Sequence, residues 1–245
     1  MKNDIKTIGL IGYGRFGSFF ARDILPKVFP RAKIEIFSRT KKGREFKDLE
    51  TVCKSDLVIP TVPIGKTEKI CKKISGLLSK NSIVMDVCSV KSEPARWMKA
   101  HLPKSTDIIS SHPMFGQSSY NKFSGDLSKL KFVIYPTRCS DESYKLIKES
   151  FAKKLEVIEM DPETHDKLSA KFQFTAHFFG QALNKMNLSR SHIDTESAKL
   201  MIDMMENLSA DSDELFLDMY RFNPYAKVQL ANILLSISAV TNKLK

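Results

Sequence analysis

Near its N-terminus the chain reads Ile8-Gly9-Leu10-Ile11-Gly12-Tyr13-Gly14-Arg15-Phe16-Gly17-Ser18-Phe19-Phe20-Ala21. An apolar run stops at three glycines spaced Gly12-x-Gly14-x-x-Gly17, and a helix-like apolar pattern follows. Each glycine answers a different steric demand: the first permits a tight turn, the second lets the backbone approach a pyrophosphate, and the third lets helix and strand pack closely. The spacing alone is weak, but strand, triplet and helix in this order predict a dinucleotide seat. The pyrophosphate is expected on the N–H groups at the start of the helix, with Gly12, Gly14, Arg15, Phe16 and Gly17 forming the cradle.

The rest of the chain supports such a frame. Short apolar runs at 5–11, 33–37, 57–62, 82–87, 107–110, 131–135 and 155–159 alternate with amphipathic segments, as in a mostly parallel sheet covered on both faces. The texture changes at Asp161-Pro162, where the proline suits a helix's first turn. Helical patterns follow over 164–187, 195–209 and 211–244, the last broken at Asn223-Pro224. The expected architecture is α/β: a doubly wound Rossmann-type sheet domain over 1–160, then a smaller all-helical substrate and dimerisation domain over 161–245. The expected site is the crevice between them.

The second strand decides which dinucleotide is expected. It ends in Ser38-Arg39-Thr40-Lys41-Lys42, with no carboxylate at its tip for the ribose hydroxyls; Glu35 lies back within the strand. Arg39 offers a planar fork to a phosphate, and Ser38 and Thr40 offer hydroxyl donors, so NADP is expected and NAD less so. Thr61, Val62 and Pro63, at the next strand's end, are expected to border the nicotinamide-side ribose.

Charge and composition narrow the partners. Among 245 residues, 39 basic and 28 acidic side chains leave a formal charge of +11, which favours small anionic ligands. The basic residues are scattered and not interleaved with aromatics, which argues against nucleic acid. Cys53, Cys71, Cys88 and Cys139 are too dispersed for a paired-cysteine metal site, no histidine stands at ligand spacing from them, and no metal is expected. They read as reduced thiols of a cytoplasmic protein. Met1-Lys2-Asn3-Asp4 leads into the strand without a signal peptide's hydrophobic region, and the apolar stretch 230–240 is too short to span a bilayer, so no membrane is expected.

Two further motifs lie at neighbouring strand ends. One is Asp86-Val87-Cys88-Ser89-Val90-Lys91; the other, one strand later, is Ser110-Ser111-His112-Pro113-Met114-Phe115-Gly116-Gln117. In a sheet of this kind Ser89 and His112 can face one crevice. A histidine at a strand end, opposite a hydroxyl and beside a nicotinamide, is better placed as a proton acceptor than as packing.

With the glycine triplet ahead of them, and His165-Asp166-Lys167 through Gln173-Phe174-Thr175-Ala176-His177 behind, these motifs resemble the prephenate/arogenate dehydrogenases. Those enzymes oxidatively decarboxylate the last precursors of tyrosine. The stretches 210–216 and 219–223 are most similar to the arogenate-using branch. The resemblance implies a Rossmann domain and a helical dimerisation domain, with His112 as base, Ser89 as active-site serine and Gln173 turned towards the substrate. His177, one helical turn on, is read as structural. The implied substrate is anionic, arogenate or prephenate, and the assembly a homodimer through apolar C-terminal helices.

Two departures bear on the substrate. Gln117-Ser118-Ser119 follows Phe115-Gly116 where many relatives have other residues, and the arginine that holds a substrate carboxylate in much of the family has no clear counterpart; Lys199, Arg190 and Arg221 are the candidates. The same two-domain plan serves β-hydroxyacid dehydrogenases, in which Lys167 or Lys171 would act, and imine or pyrroline-carboxylate reductases; a dinucleotide-binding regulator without turnover is the alternative from another class.

Overall fold

The computed structural model describes residues 4–209 and 211–245, so Ala210, which opens the 210–216 stretch, lies outside the described residues. The chain divides into two compact units, one ending at Pro162 and one running Glu163–Lys245.

The first unit is built on seven strands: β1 (Thr7–Ile11), β2 (Lys33–Phe37), β3 (Leu57–Pro60), β4 (Ile83–Met85), β5 (Asp107–Pro113), β6 (Lys131–Arg138) and β7 (Glu156–Glu159). They form a single sheet in the order β2-β1-β3-β4-β5-β6-β7. β1 to β5 run parallel; β6 is antiparallel to β5, and β7 follows β6 in parallel. The chain leaves β1 towards β2 and returns to the other side of β1 for β3. That reversal opens the crevice where doubly wound sheets bind ligands.

Both faces of the sheet are covered, which explains why β3 and β4 are apolar throughout and do not alternate. On one face Ile8, Leu10, Ile59, Met85, Ile109, Phe132 and Ile134 join Phe19, Phe20, Ile24 and Leu25 of helix 15–28 and Ile147 and Phe151 of helix Asp141–Ala152. On the other, Ile11, Val58, Val84 and Ile108 meet Val52 and Cys53, Cys71 and Ile74, and Met98 and Leu102, from three further helical segments. The rings of Phe132 and Phe151 stack with centroids 4.1 Å apart, a pairing that contributes about 0.5–1.5 kcal/mol beyond the area it buries.

Helix 15–28 contains a π turn over Phe20–Ile24, closed by the Leu25 N–H donating to the Phe20 carbonyl. Pro26 follows directly and has no N–H to give the preceding turn, so the helix takes one wide turn there. Several strand ends differ from the sequence expectation: β1 begins at Thr7, β7 at Glu156, and β4 is confined to Ile83–Met85, leaving Asp86 and Val87 in the segment that follows. β3 stops at Pro60, leaving Thr61 and Val62 in the loop. β5 runs on to Pro113, because pairing with the returning β6 holds Ser111, His112 and Pro113 in extended form, and β6 in turn reaches Arg138.

The second unit is all helical: Pro162–Ser169, a π turn over Ala170–Phe174, Thr175–Lys185, Glu196–Ser209, Asp213–Phe222 and Pro224–Asn242. The break at Asn223-Pro224 has a local cause. The Asn223 side chain accepts the Tyr225 N–H at 3.0 Å, Pro224 opens the next helix, and the Asn223 amide donates to the Asp166 carbonyl at 2.8 Å. Phe174, Met219, Ala226 and Ile233 form the unit's core. Among the described residues no helix is long and apolar enough to cross a membrane.

Candidate active site

The glycine turn lies at the carboxyl end of β1, where β2 and β3 flank it. Gly12 has φ +113° and is stitched to both neighbours: its N–H donates to the Phe37 carbonyl at 2.9 Å, and its carbonyl accepts the Thr61 hydroxyl at 2.8 Å. A Cβ on Gly17 would come within 2.6 Å of Thr61 Oγ1 and 2.7 Å of the Gly12 carbonyl oxygen, so the first helical turn packs directly onto the loop. A Cβ on Gly14 would meet nothing within 4 Å. The helix starts at Arg15 with no side-chain cap, and the first N–H groups of a helix have no partner within it. A closed turn, a vacant flank and an uncapped helix start fit a pyrophosphate. Phe16 itself packs inward against Phe20, rings 5.2 Å apart, leaving its backbone as the part that faces the turn.

At the tip of β2, Ser38 is buried while Arg39 and Thr40 are exposed. The Ser38 hydroxyl accepts the Lys41 N–H at 2.9 Å, folding the loop back, and the Lys41 ammonium lies 5.1 Å from the centre of the Tyr13 ring, inside the glycine turn. Glu35 is paired with Lys33 at 2.7 Å within the strand. Glu35 is therefore held within the strand and is not the carboxylate that would meet ribose hydroxyls at its tip. Val62 is half-buried and Pro63 exposed in the loop after β3.

At the ends of β4 and β5 the centre of the arrangement is Asp86, 1% exposed. Its Oδ1 accepts from the Lys91 ammonium and from the Cys88 N–H, the latter at 2.9 Å, and its Oδ2 accepts the Ser111 N–H at 3.3 Å. The Lys91 ammonium, equally buried, also donates to the Ser111 carbonyl, and the Ser111 hydroxyl donates to the Asp86 carbonyl at 2.5 Å. Ser89, half-buried, lies in the short loop between Cys88 and Lys91, both of which bond Asp86. His112 follows Ser111, 4% exposed and in register with Val133 of β6. Strand alternation puts it on the opposite side of the sheet from Ser111.

Cys88 is not a competing nucleophile. Burial, with the Asp86 carboxylate beside it, pushes its thiol up to about 12, so it stays protonated. In the sequence Asp86 and Lys91 are simply the first and last residues of the Asp86–Lys91 motif, with no role assigned to either. The available signal was an Asp and a Lys five residues apart bracketing an otherwise apolar strand end.

In the helical unit Gln173 lies in the π turn, its Oε1 accepting the Ser169 hydroxyl at 2.9 Å. His165 Nδ1 is 2.9 Å from Asp166 Oδ1, both buried. His177 is buried 3.8 Å from Asp211, and burial lowers its pKa despite that carboxylate. Of the cations considered for a substrate carboxylate, Arg190 is held by Asp203 and Glu206, at 2.6 and 2.7 Å, and Lys199 by Glu196 at 2.6 Å. Arg221 lies 3.7 Å from the buried carboxylate of Asp218. Lys167 is paired with Glu163 at 2.8 Å, and Lys171 lies over the Phe172 ring. Among the described residues no cluster of His, Cys, Asp and Glu could hold a metal ion.

The family model described as prephenate dehydrogenase, nucleotide-binding domain, matches residues 33–158, a little over half of the chain. A second, TYRAAT1-like, C-terminal domain, matches 182–245. The chain is 29% identical to arogenate dehydrogenase 2, chloroplastic, of Arabidopsis thaliana over 99% of its own length and 71% of that protein's. It is also 29% identical to a probable arogenate/prephenate dehydrogenase of Methanocaldococcus jannaschii, over 93% of its own length and 54% of that protein's, so it spans about half of this relative. The fold matches that of a prephenate dehydrogenase of A. aeolicus, solved with hydroxyphenyl propionate and NAD+, with a TM-score of 0.73 at 19% identity, covering 100% of this chain and 92% of that one. The matched residues 33–158 include both motifs at the ends of β4 and β5, and the chain belongs to the prephenate dehydrogenases.

Proposed function

We propose that the protein oxidatively decarboxylates arogenate to tyrosine with NADP, His112 acting as the base. The observation that carries this reading is the tying of the Ser89 loop and the His112 strand to one buried carboxylate, Asp86, in the sheet whose glycine turn leaves the Gly14 flank open.

Arogenate and prephenate are cyclohexadienes with a hydroxyl at C4 and a carboxylate at C1. A bound nicotinamide would supply the acceptor for the C4 hydrogen and its electron pair. The Gly14, Arg15, Phe16 and Gly17 N–H groups would hold the pyrophosphate, Ser38, Arg39 and Thr40 would hold the 2′-phosphate, and Thr61, Val62 and Pro63 would border the second ribose. His112 takes the proton of the C4 hydroxyl as that carbon becomes a carbonyl, and gives it back to the same oxygen once carbon dioxide leaves and the ring becomes a phenol. Ser89 hydrogen-bonds the hydroxyl and orients it towards the imidazole, and Gln173 contributes from the helical unit. The net positive charge draws in the anionic substrate.

Arogenate is preferred to prephenate because the Arabidopsis relative named above is an arogenate dehydrogenase similar over nearly the whole chain. NADP is preferred to NAD because of Arg39 and the internally paired Glu35, although the A. aeolicus protein was solved with NAD+. The assembly is a homodimer through the helical unit, where Phe172, Leu234, Leu235, Ile237 and Val240 present large exposed apolar side chains. The four free cysteines fit a reducing compartment, the cytoplasm. The test is reduced-dinucleotide formation, followed by absorbance, with arogenate, prephenate and a β-hydroxyacid, each with NADP and with NAD. Turnover of arogenate with NADP is expected to dominate. Equal or greater use of prephenate moves the enzyme to the other branch, and turnover only of the hydroxyacid removes the proposal.

A further inference from the structure

We propose that the buried Asp86–Lys91 pair is a positioning device that sets the distance between the Ser89 hydroxyl and the His112 ring. The inference rests on the reading of those two residues as the reacting pair. Asp86 and Lys91 are each 1% exposed, so neither touches substrate.

The geometry points to a clamp with two jaws. The Ser89 loop is gripped at both ends by one carboxylate oxygen: the Cys88 N–H and the Lys91 ammonium both donate to Asp86 Oδ1. The His112 strand is gripped at the residue before the histidine, where both backbone groups of Ser111 are used, the N–H on Asp86 Oδ2 and the carbonyl on Lys91. The paired registers of β4 and β5 end at Met85 and Ile109, short of both Ser89 and His112. Past the last backbone bond there, from the Asp86 N–H to the Ile109 carbonyl at 3.3 Å, the two strand ends are joined through this ion pair. A lysine is a costly choice for a site with no solvent, since burying a charge is tolerated only when it is paired and hydrogen-bonded. Two apolar side chains of similar volume fill such a space as well or better. An ion pair differs in having direction: its donors and acceptors fix the loop and the strand at particular atoms.

Two roles predict different outcomes. Lys91→Met strands a buried carboxylate and is expected to lower the melting midpoint by roughly 10 °C, which a merely structural pair would also do. The double variant Asp86→Leu/Lys91→Met removes both charges. It is expected to melt within a few degrees of the parent and to bind NADP with unchanged affinity and an unchanged KM for the dinucleotide. Its kcat is expected to remain about 100-fold low, and the His112 ring signals in 15N-labelled protein are expected to move while those of His101 and His192 stay in place. Recovery of kcat to near the parent value alongside stability, or His112 signals coincident with the parent's, overturns the proposal. The near-isosteric Asp86→Asn is read in the same way, whether or not the apolar pair folds: kcat falls about tenfold or more and the His112 signals shift, and unchanged values of both overturn the proposal. If the parent turns over neither cyclohexadiene, it is the reading of the reaction that fails, and the His112 signals still decide the clamp.

Discussion

Gly14→Ala separates binding from folding. Gly14 has φ −75° and ψ −166°, a region any residue adopts, and an added Cβ has no atom within 4 Å. The folded chain therefore accommodates the methyl group. Alanine is a poorer helix N-cap than glycine, yet it restricts the unfolded chain, and these opposed effects leave stability within about 1 kcal/mol of the parent. That corresponds to a shift in melting midpoint of no more than about 4 °C. The methyl group occupies space at the uncapped start of helix 15–28, and pushes an anion off its first N–H groups. Hydrogen bonds to a charged group contribute about 1.5–3 kcal/mol, so losing one weakens the dinucleotide Kd by about 10- to 100-fold. Isothermal titration with NADP, alongside a melting curve, gives both numbers. Gly17→Ala is the mirror case: its Cβ would fall within 2.7 Å of the Gly12 carbonyl oxygen, backbone that cannot step aside. Overpacking of this kind costs about 1–3 kcal/mol, so here the melting midpoint drops. A Gly14→Ala protein that binds NADP within threefold of the parent refutes the assignment of that space to the pyrophosphate.

Three more outcomes follow from the same structure. His112→Asn is expected to reduce kcat by about two to four orders of magnitude with NADP affinity unchanged in calorimetry; a loss of less than tenfold removes its role as base. Arg39→Asp, on an exposed residue at the tip of β2, is expected to raise the KM for NADP by about 10- to 100-fold and to leave that for NAD little changed, and an unaltered NADP KM would sink the phosphate assignment. Burial lowers the pKa of His177 in the folded protein, against the opposing Asp211 carboxylate, whereas the unfolded chain takes up the proton near the ordinary pKa of about 6.5. Its contribution is intact above that pH and is lost as the pH falls below it, by at most about 1.4 kcal/mol per pH unit. Urea unfolding at pH 7.5 and 5.5 should show a smaller acid loss in His177→Gln than in the parent.

What the sequence disclosed was mostly what neighbouring residues settle among themselves. β2 has the limits its alternation and flanking residues imply, the second unit's first helix begins at Pro162, and Asn223-Pro224 breaks the last helical stretch, because strand pattern, proline and cap are local chemistry. The Gly12-x-Gly14-x-x-Gly17 spacing is legible for the same reason. Features made by residues distant in the chain were not. β5 reaches Pro113 only because β6 returns beside it, a pairing of His112 with Val133 that no local pattern records. Thr61 was assigned to the cofactor's border, but its hydroxyl bond to Gly12 links positions 49 apart. Lys91 reads in sequence like any solvated lysine, and its burial depends on Asp86 and on Ser111, 20 residues away. The π turn at Ala170–Phe174 has no proline to announce it; the Thr175 hydroxyl reaches back to the Ala170 carbonyl at 3.5 Å across it.

The reversal of β6 bears on adaptability. Because that strand comes back along β5, the histidine's strand is an interior member of the sheet, laced along one edge and bolted at the other. Amide hydrogens there should be among the last in the chain to exchange with deuterium. Such a ring has little freedom to follow a molecule of another shape. Tolerance for a different ring substituent therefore has to be found in parts that are not woven into the sheet.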